Sequence, residues 1–247
     1  MPLQPRQREG GDQVAAFVIH ARPYRETSQL VEVFSAELGR LSLIAKGSRA
    51  ARSPLKGMLQ PFARLSLSWR GRGDLKTLTR AEPLGLPRRL TGDRLFYGLY
   101  LNELVYYLLE SGSPFPDVFE AYAEALTLLV DTPVPELPLR RFEFLLLEAL
   151  GYAVDFVTAA DDDSPIRTDL LYGFERELGF VARERTPDPA NLFLGAHLHA
   201  FAEHRFDSPA ILQAAKRFSR LALQPYLGQR RLKSRELFLK RKVSSKE

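Results

Sequence analysis

Cysteine is absent from the 247 residues, which removes disulfides, thiolate zinc sites, iron–sulfur clusters and cysteine nucleophiles together. Long apolar runs are missing as well. Nothing approaches the roughly 18 uninterrupted residues of a membrane-spanning helix, so a membrane is not expected among the partners. Met1 to Asp12 has Arg6 and Arg8 offset by Glu9 and Asp12, with no apolar core of signal-peptide length behind them, so export is not expected. Histidine is scarce: His20, His197, His199 and His204 form no metal-binding spacing, and a two-residue step such as His197 to His199 turns side chains about 200° apart on a helix. Gly71-Arg72-Gly73 lacks the third glycine of a dinucleotide fingerprint. There is no Gly-Lys-Ser/Thr phosphate loop and no Gly-x-Ser-x-Gly elbow. Asp161-Asp162-Asp163 lacks the alternating oxygens and the glycine of a calcium loop, and is read as a solvated loop. No catalytic residue, metal site or cofactor is therefore expected.

What the chain does have is unevenly placed positive charge. Residues 1–94 hold 17 Lys+Arg against 8 Asp+Glu, residues 95–215 hold 7 against 20, and residues 216–247 hold 11 against 2. Two basic ends flank an acidic middle, as expected if separated segments contact a polyanion.

From Gln13 to Glu82, short apolar runs are split by Gly, Pro and basic residues: Val14–His20, Gln29–Phe34, Arg40–Ala45, Ala63–Trp69 and Leu75–Arg80. Five β-rich runs in so short a span predict a small antiparallel barrel over residues 1–82. Leu65, Leu67 and Trp69 alternate onto one face, and Gly39-Arg40 and Gly71-Arg72-Gly73 fall where turns are needed. After Pro83 to Pro87 the periodicity becomes helical, and residues 83–247 are expected to form a helical domain. Its helices run from Leu95 to near Gly112, over Asp117–Asp131, and over Leu139–Leu150 with Gly151 as the stop. An irregular insert spans about residues 152–185, with a hairpin of Leu170–Phe174 and Phe180–Arg183. Further helices are predicted over Ala190–Arg205, Pro209–Leu227 and from Ser234, with Lys240-Arg241-Lys242 as a disordered tail. The fold class is α+β, a β-barrel followed by a mainly helical domain.

The candidate binding residues are cations. Lys46, Arg49, Arg52 and Lys56 lie in a Gly/Ser/Pro-containing connection without an acid, read as a mobile loop suited to phosphates. Ser48 and Ser53 could add hydroxyl contacts to phosphate oxygens. Tyr24, between Arg22 and Arg25, is the aromatic best placed to stack on a base, whereas Phe34, Phe62 and Trp69 fit a core. A second basic surface is expected from Lys216, Arg217 and Arg220 with Lys233 and Arg235, because Lys216 and Arg220 share a helical face.

Arg22-Pro23-Tyr24-Arg25-Glu26-Thr27-Ser28, then Ala45-Lys46-Gly47-Ser48-Arg49, Leu59-Gln60-Pro61-Phe62 and Gly71-Arg72-Gly73-Asp74-Leu75-Lys76 resemble the RecO family. So do Tyr100-Leu101-Asn102-Glu103-Leu104, Leu139-Arg140-Arg141-Phe142-Glu143, Leu150-Gly151-Tyr152, Ala214-Ala215-Lys216-Arg217-Phe218 and Leu232-Lys233-Ser234-Arg235-Glu236-Leu237. The ordered set extends from about Ala16 to Phe238. The resemblance implies an N-terminal oligonucleotide-binding (OB) fold and a part that in many relatives carries a four-cysteine zinc site. This chain, lacking cysteine around Thr158-Ala159-Ala160-Asp161, does not fit such a zinc. It further implies a monomeric, cytoplasmic, nucleoid-associated mediator of repair and recombination, binding single- and double-stranded DNA and annealing complementary strands. The implied protein partners are RecR and the C-terminal tail of single-strand-binding protein, with RecA and RecF as functional partners. That tail is acidic and ends in phenylalanine, so Arg140 and Arg141 beside Phe142 and Leu146 are its expected acceptor, unless one arginine is taken up by Glu136 or Glu143. Two other readings stay open: a nucleic-acid-processing enzyme with a dispersed Mg²⁺-dependent site, and an adaptor that binds only proteins.

Overall fold

The computed structural model describes residues 10–86, 89–152, 154–184 and 188–244. Arg6, Arg8 and Glu9 lie outside them. Two compact units are present, one of residues 1–133 with 231–247 and one of residues 134–230.

The first unit begins with five strands: β1 (Gly10–Tyr24), β2 (Ser28–Ser35), β3 (Gly39–Ala45), β4 (Arg64–Arg70) and β5 (Leu75–Pro83). They close into a barrel in the order β1-β2-β3-β5-β4. Only β3 and β5 run parallel, with Ser42 opposite Leu75 and Ile44 opposite Thr77. This is the five-stranded closed topology of an OB fold. The expected alternation drives the closure: Val31, Val33, Leu41, Leu43, Leu65, Leu67 and Trp69 fill the interior. Gly39 turns at φ +59, and a Cβ there would meet Ser113 O at 1.9 Å, so the tight approach requires glycine.

Two helices, α1 (Asp93–Leu108) and α2 (Pro116–Leu128), cover part of the barrel's outer face. Phe17 packs edge-on against Tyr122 at 5.1 Å between ring centroids, and Phe34 against Phe119 at 5.5 Å. The Asn102 side chain donates to Ile19 O at 2.8 Å and accepts from the Tyr122 hydroxyl at 2.5 Å, so one buried amide fixes both helices to β1. Texture changes near residue 83, as the sequence indicates, but these contacts join α1 and α2 to the barrel in one packing unit.

The second unit holds α3 (Glu136–Ala149), β6 (Leu171–Glu175), β7 (Gly179–Ala182), β8 (Leu192–Leu194), α4 (Gly195–Ala202) and α5 (Pro209–Leu227). The predicted hairpin is β6–β7, but the helix predicted from Ala190 starts only at Gly195. Ahead of it β8 adds a third strand, giving the order β7-β6-β8. Asn191 directs this: its side chain accepts from Phe174 N and donates to Phe174 O, both at 2.9 Å, copying a strand pairing. Phe144, Phe156, Phe180, Phe201 and Phe218 form the centre of the unit, with Phe218 5.2 Å from Phe156 and 5.4 Å from Phe144.

The chain then returns to the first unit as α6 (Lys233–Ser244), so Lys240-Arg241-Lys242 is helical and not a disordered tail. The Glu103 carboxylate on α1 accepts from Lys233 N at 2.8 Å, from Ser234 N at 3.1 Å and from the Ser234 hydroxyl, capping α6 from a distant part of the sequence. Phe238 meets Tyr97 at 5.5 Å, and Arg241 bridges to Asp93 at 3.5 Å.

Candidate nucleic-acid interface

One end of the barrel gathers the cations of two separate connections. The β1–β2 turn places Arg25 at φ +52, with its guanidinium 5.3 Å from the centroid of the Tyr24 ring. The connection after β3 is a chain of turns, closed by Ala50 N to Gly47 O at 3.1 Å, Ser53 N to Ala50 O at 3.0 Å and Lys56 N to Ser53 O at 3.1 Å. Leu55 and Met58 anchor it on the barrel core. Arg49 ties the two connections together, since its N–H donates to Thr27 O at 2.8 Å and its guanidinium reaches Arg25 O at 3.4 Å. Arg22, Arg25, Lys46, Arg49, Arg52 and Lys56 are all exposed, and Tyr24 is half-buried. Thus the loop read as mobile has an internal frame, and charges separated in sequence are brought to one end of the barrel.

Of the two serines, Ser48 departs from the expectation. Ser48 is 1% exposed and its hydroxyl donates to Gln29 Oε1 at 3.0 Å, so it builds the loop and does not face a ligand. Ser53 Oγ accepts from Leu55 N at 3.3 Å. Phe34, Phe62 and Trp69 are buried at 0%, 6% and 2% exposure, as the core reading expected.

The C-terminal cations are divided between the units. Lys233 and Arg235 belong to the first, where the Arg235 guanidinium lies 5.2 Å over the Tyr100 ring and donates to its hydroxyl at 3.3 Å. Lys216, Arg217 and Arg220 are on α5 in the second unit. Arg217 is drawn into structure: it donates to Leu192 O at 3.0 Å and Ala190 O at 3.3 Å and lies 5.3 Å over Phe193. Lys216 and Arg220 are exposed on one face. Partial desolvation of the Lys216 ammonium, then the charges of Arg220 and Arg140, hold it below the usual lysine range, against an opposing effect of Glu136 and Glu143.

On α3 three of the four residues expected to accept the tail are buried. Phe142 and Leu146 are 1% and 0% exposed inside the second unit. Arg140 is 4% exposed and pairs with the equally buried Glu143 at 2.7 Å, whereas Arg141 is exposed. The hydrophobic spacing around Arg140 was legible; that so wide an arc of α3 is buried was not. A charged residue reads as surface unless its i+3 partner is recognised as an interior pair.

The other polar features are local. Asp162 Oδ1 accepts from Ser164 N at 2.9 Å within a turn closed by Ala159 N to Ser164 O at 2.8 Å. His199 Nε2 lies 2.7 Å from Ile166 O, and His204 pairs with Glu148 at 3.1 Å. Among the described residues, no three His, Cys, Asp or Glu side chains are grouped to hold a metal, and no helix is long and apolar enough to cross a membrane.

Residues 12–87 match the family Recombination protein O N terminal, and residues 89–236 match Recombination protein O C terminal. The chain is 49% identical over 225 residues to the DNA repair protein RecO of Aliivibrio salmonicida, covering 91% of this chain and 94% of the relative. It is 50% identical over 222 residues to the DNA repair protein RecO of Vibrio cholerae serotype O1, covering 90% and 91%. With the protein of that name from Aliivibrio fischeri it shares 48% over 225 residues, 91% of this chain and 94% of the relative.

Proposed function

Because the chain belongs to the RecO family of DNA repair proteins, we propose that it is a recombination mediator that grips single- and double-stranded DNA through the cationic end of its barrel. The family is one of repair mediators and not of enzymes, and its role lies in recombination repair. The observation that carries the DNA contact is the Arg49 linkage, which holds the β1–β2 turn with Arg25 beside the connection that bears Lys46, Arg49, Arg52 and Lys56, with Arg22 exposed near the end of β1. Within these two connections Glu26 is the sole acid in the sequence. Such a surface neutralises phosphates and releases counterions without reading bases, and Tyr24 adds a ring for stacking. Lys216, Arg220 and Lys233 supply further exposed cations. Arg217 and Arg235 serve their own elements first. Holding two backbones by charge favours annealing of complementary strands and fits association with the nucleoid.

The partner contacts in this reading are the acidic tail of single-strand-binding protein, RecR, and functional cooperation with RecA and RecF. Family membership supports them. For an acidic tail, Arg141 on α3 and Lys216 and Arg220 on α5 are exposed cations on two helices that pack together, whereas Arg140, Phe142 and Leu146 are buried. A labelled tail peptide should lose affinity for Arg141→Glu or Lys216→Glu, and unchanged binding to both removes this assignment.

The DNA contact is tested by titrating a labelled oligonucleotide at increasing salt against the wild type and a variant with Lys46, Arg49, Arg52 and Lys56 all changed to Ala. Affinity should fall steeply with salt, and the variant's slope should be shallower by about 0.7 for each single-strand phosphate it no longer neutralises. A flat wild-type profile, or an unaltered slope in the variant, contradicts the proposed grip.

A further inference from the structure

Part of the barrel's outer face carries a row of side chains that starts at the loop site and runs away from it along β1. Beyond the irregularity after Val18, His20 stands opposite Glu32, Arg22 opposite Leu30 and Tyr24 opposite Ser28, so His20, Arg22 and Tyr24 share one face at two-residue steps. His20 and Arg22 are exposed. Tyr24 with Arg25 forms one end of the row. At the other end α1 delivers Tyr106, 37% exposed, with its ring centroid 6.3 Å from that of His20. Tyr107 packs edge-on against Tyr106 at 5.1 Å, and the Arg40 guanidinium lies 4.8 Å from the Tyr106 centroid.

This second cation–aromatic pair is braced from both sides. Arg40 Nε donates to Leu109 O at the end of α1 at 2.9 Å, and Arg40 Nη1 lies 3.8 Å from Glu32 Oε2, whose carboxylate also accepts from Ser42 Oγ at 2.7 Å. The ring is therefore held before any ligand arrives, which lowers the ordering cost of binding. Glu32 answers much of the Arg40 charge, so the pair offers a stacking surface more than a net positive one. The exposed Arg22 lies between the two aromatic ends, on a stretch of strand about 13 Å long, a span suited to a few nucleotides of extended strand.

We propose that Tyr106, Arg40 and His20 form a base-stacking station for single-stranded nucleic acid, separate from the cationic loops and continuous with them through Arg22 and Tyr24. This rests on the DNA-binding reading above and adds to it a second contact with bases, on a different element from Tyr24. Tyr106 is 37% exposed, and Tyr106→Phe keeps its ring.

The test compares a thymidine oligonucleotide with an abasic strand of equal length, by fluorescence anisotropy, for the wild type, Tyr106→Ala and Tyr106→Phe. The wild type should prefer the base-bearing strand, Tyr106→Ala should lose about tenfold on that strand alone, and Tyr106→Phe should retain the preference. Equal loss on both strands, or no loss on either, overturns the station while leaving the phosphate grip intact. Failure of the wild type to hold either strand removes the DNA-binding reading and the station with it.

Discussion

Two side chains in the second unit show how a single residue's surroundings set its energetics. Arg140 and Glu143 are each almost wholly enclosed and lie 2.7 Å apart. Interior pairs of this kind add little net stability but are costly to break, because the survivor is left charged without its counterpart. Arg140→Met should therefore destabilise the protein by about 3–5 kcal/mol in urea unfolding, and adding Glu143→Leu should recover much of the loss. A mild effect of the single change would mean that Glu143 is compensated by other groups, the Lys216 charge among them. His197 gives a pH signature. Burial, and then Arg217, depress its pKa below the usual 6.5, and its Nδ1 is enclosed without a hydrogen-bond partner. The unfolded chain thus binds the proton first, so stability falls as pH drops from 6.5 towards the depressed value, and above 6.5 the group adds no pH dependence. His197→Asn should flatten the melting temperature between pH 7 and pH 5, and an unchanged slope would assign the acid sensitivity to other groups.

At the level of elements, α6 depends on a residue that no local pattern could have named. Glu103 fills the orphan N–H groups at the start of α6 from the middle of α1. Glu103→Ala should cost about 1–2 kcal/mol, read as a lower urea midpoint, with larger losses of α6 amide protection in hydrogen exchange than of barrel protection. Equal loss throughout would argue for general destabilisation. The elements that were legible in sequence share a reason: Leu65, Leu67 and Trp69 alternate without interruption, and Pro209 with Ser208 and Gly228 brackets α5 at both ends. Leu192-Phe193-Leu194 was opaque because three apolar residues have no period, and the pairing is dictated by Asn191, remote from β6 in sequence. The candidate site divides the same way. Lys46 to Lys56 stood out as unopposed charge, whereas the Arg49 link to Thr27 and the seating of Arg217 on Leu192 O are tertiary facts that leave no mark on neighbouring residues.

At the scale of the molecule, the packing units redraw the charge map that the linear sequence suggests. Residues 1–133 with 231–247 carry 24 Lys+Arg against 16 Asp+Glu, and residues 134–230 carry 11 against 14. The positive excess thus belongs to the barrel unit, which contains both basic ends of the chain apart from Lys216, Arg217, Arg220 and Arg230. The same division bears on synthesis. A ribosome emits the barrel, α1 and α2 early, yet the segment that occupies the Glu103 carboxylate and covers Phe96 and Tyr97 emerges only after the entire second unit. A nascent polypeptide stalled at Arg230 should consequently expose those rings to protease or chaperone, making the arrival of α6 the step by which the barrel unit matures.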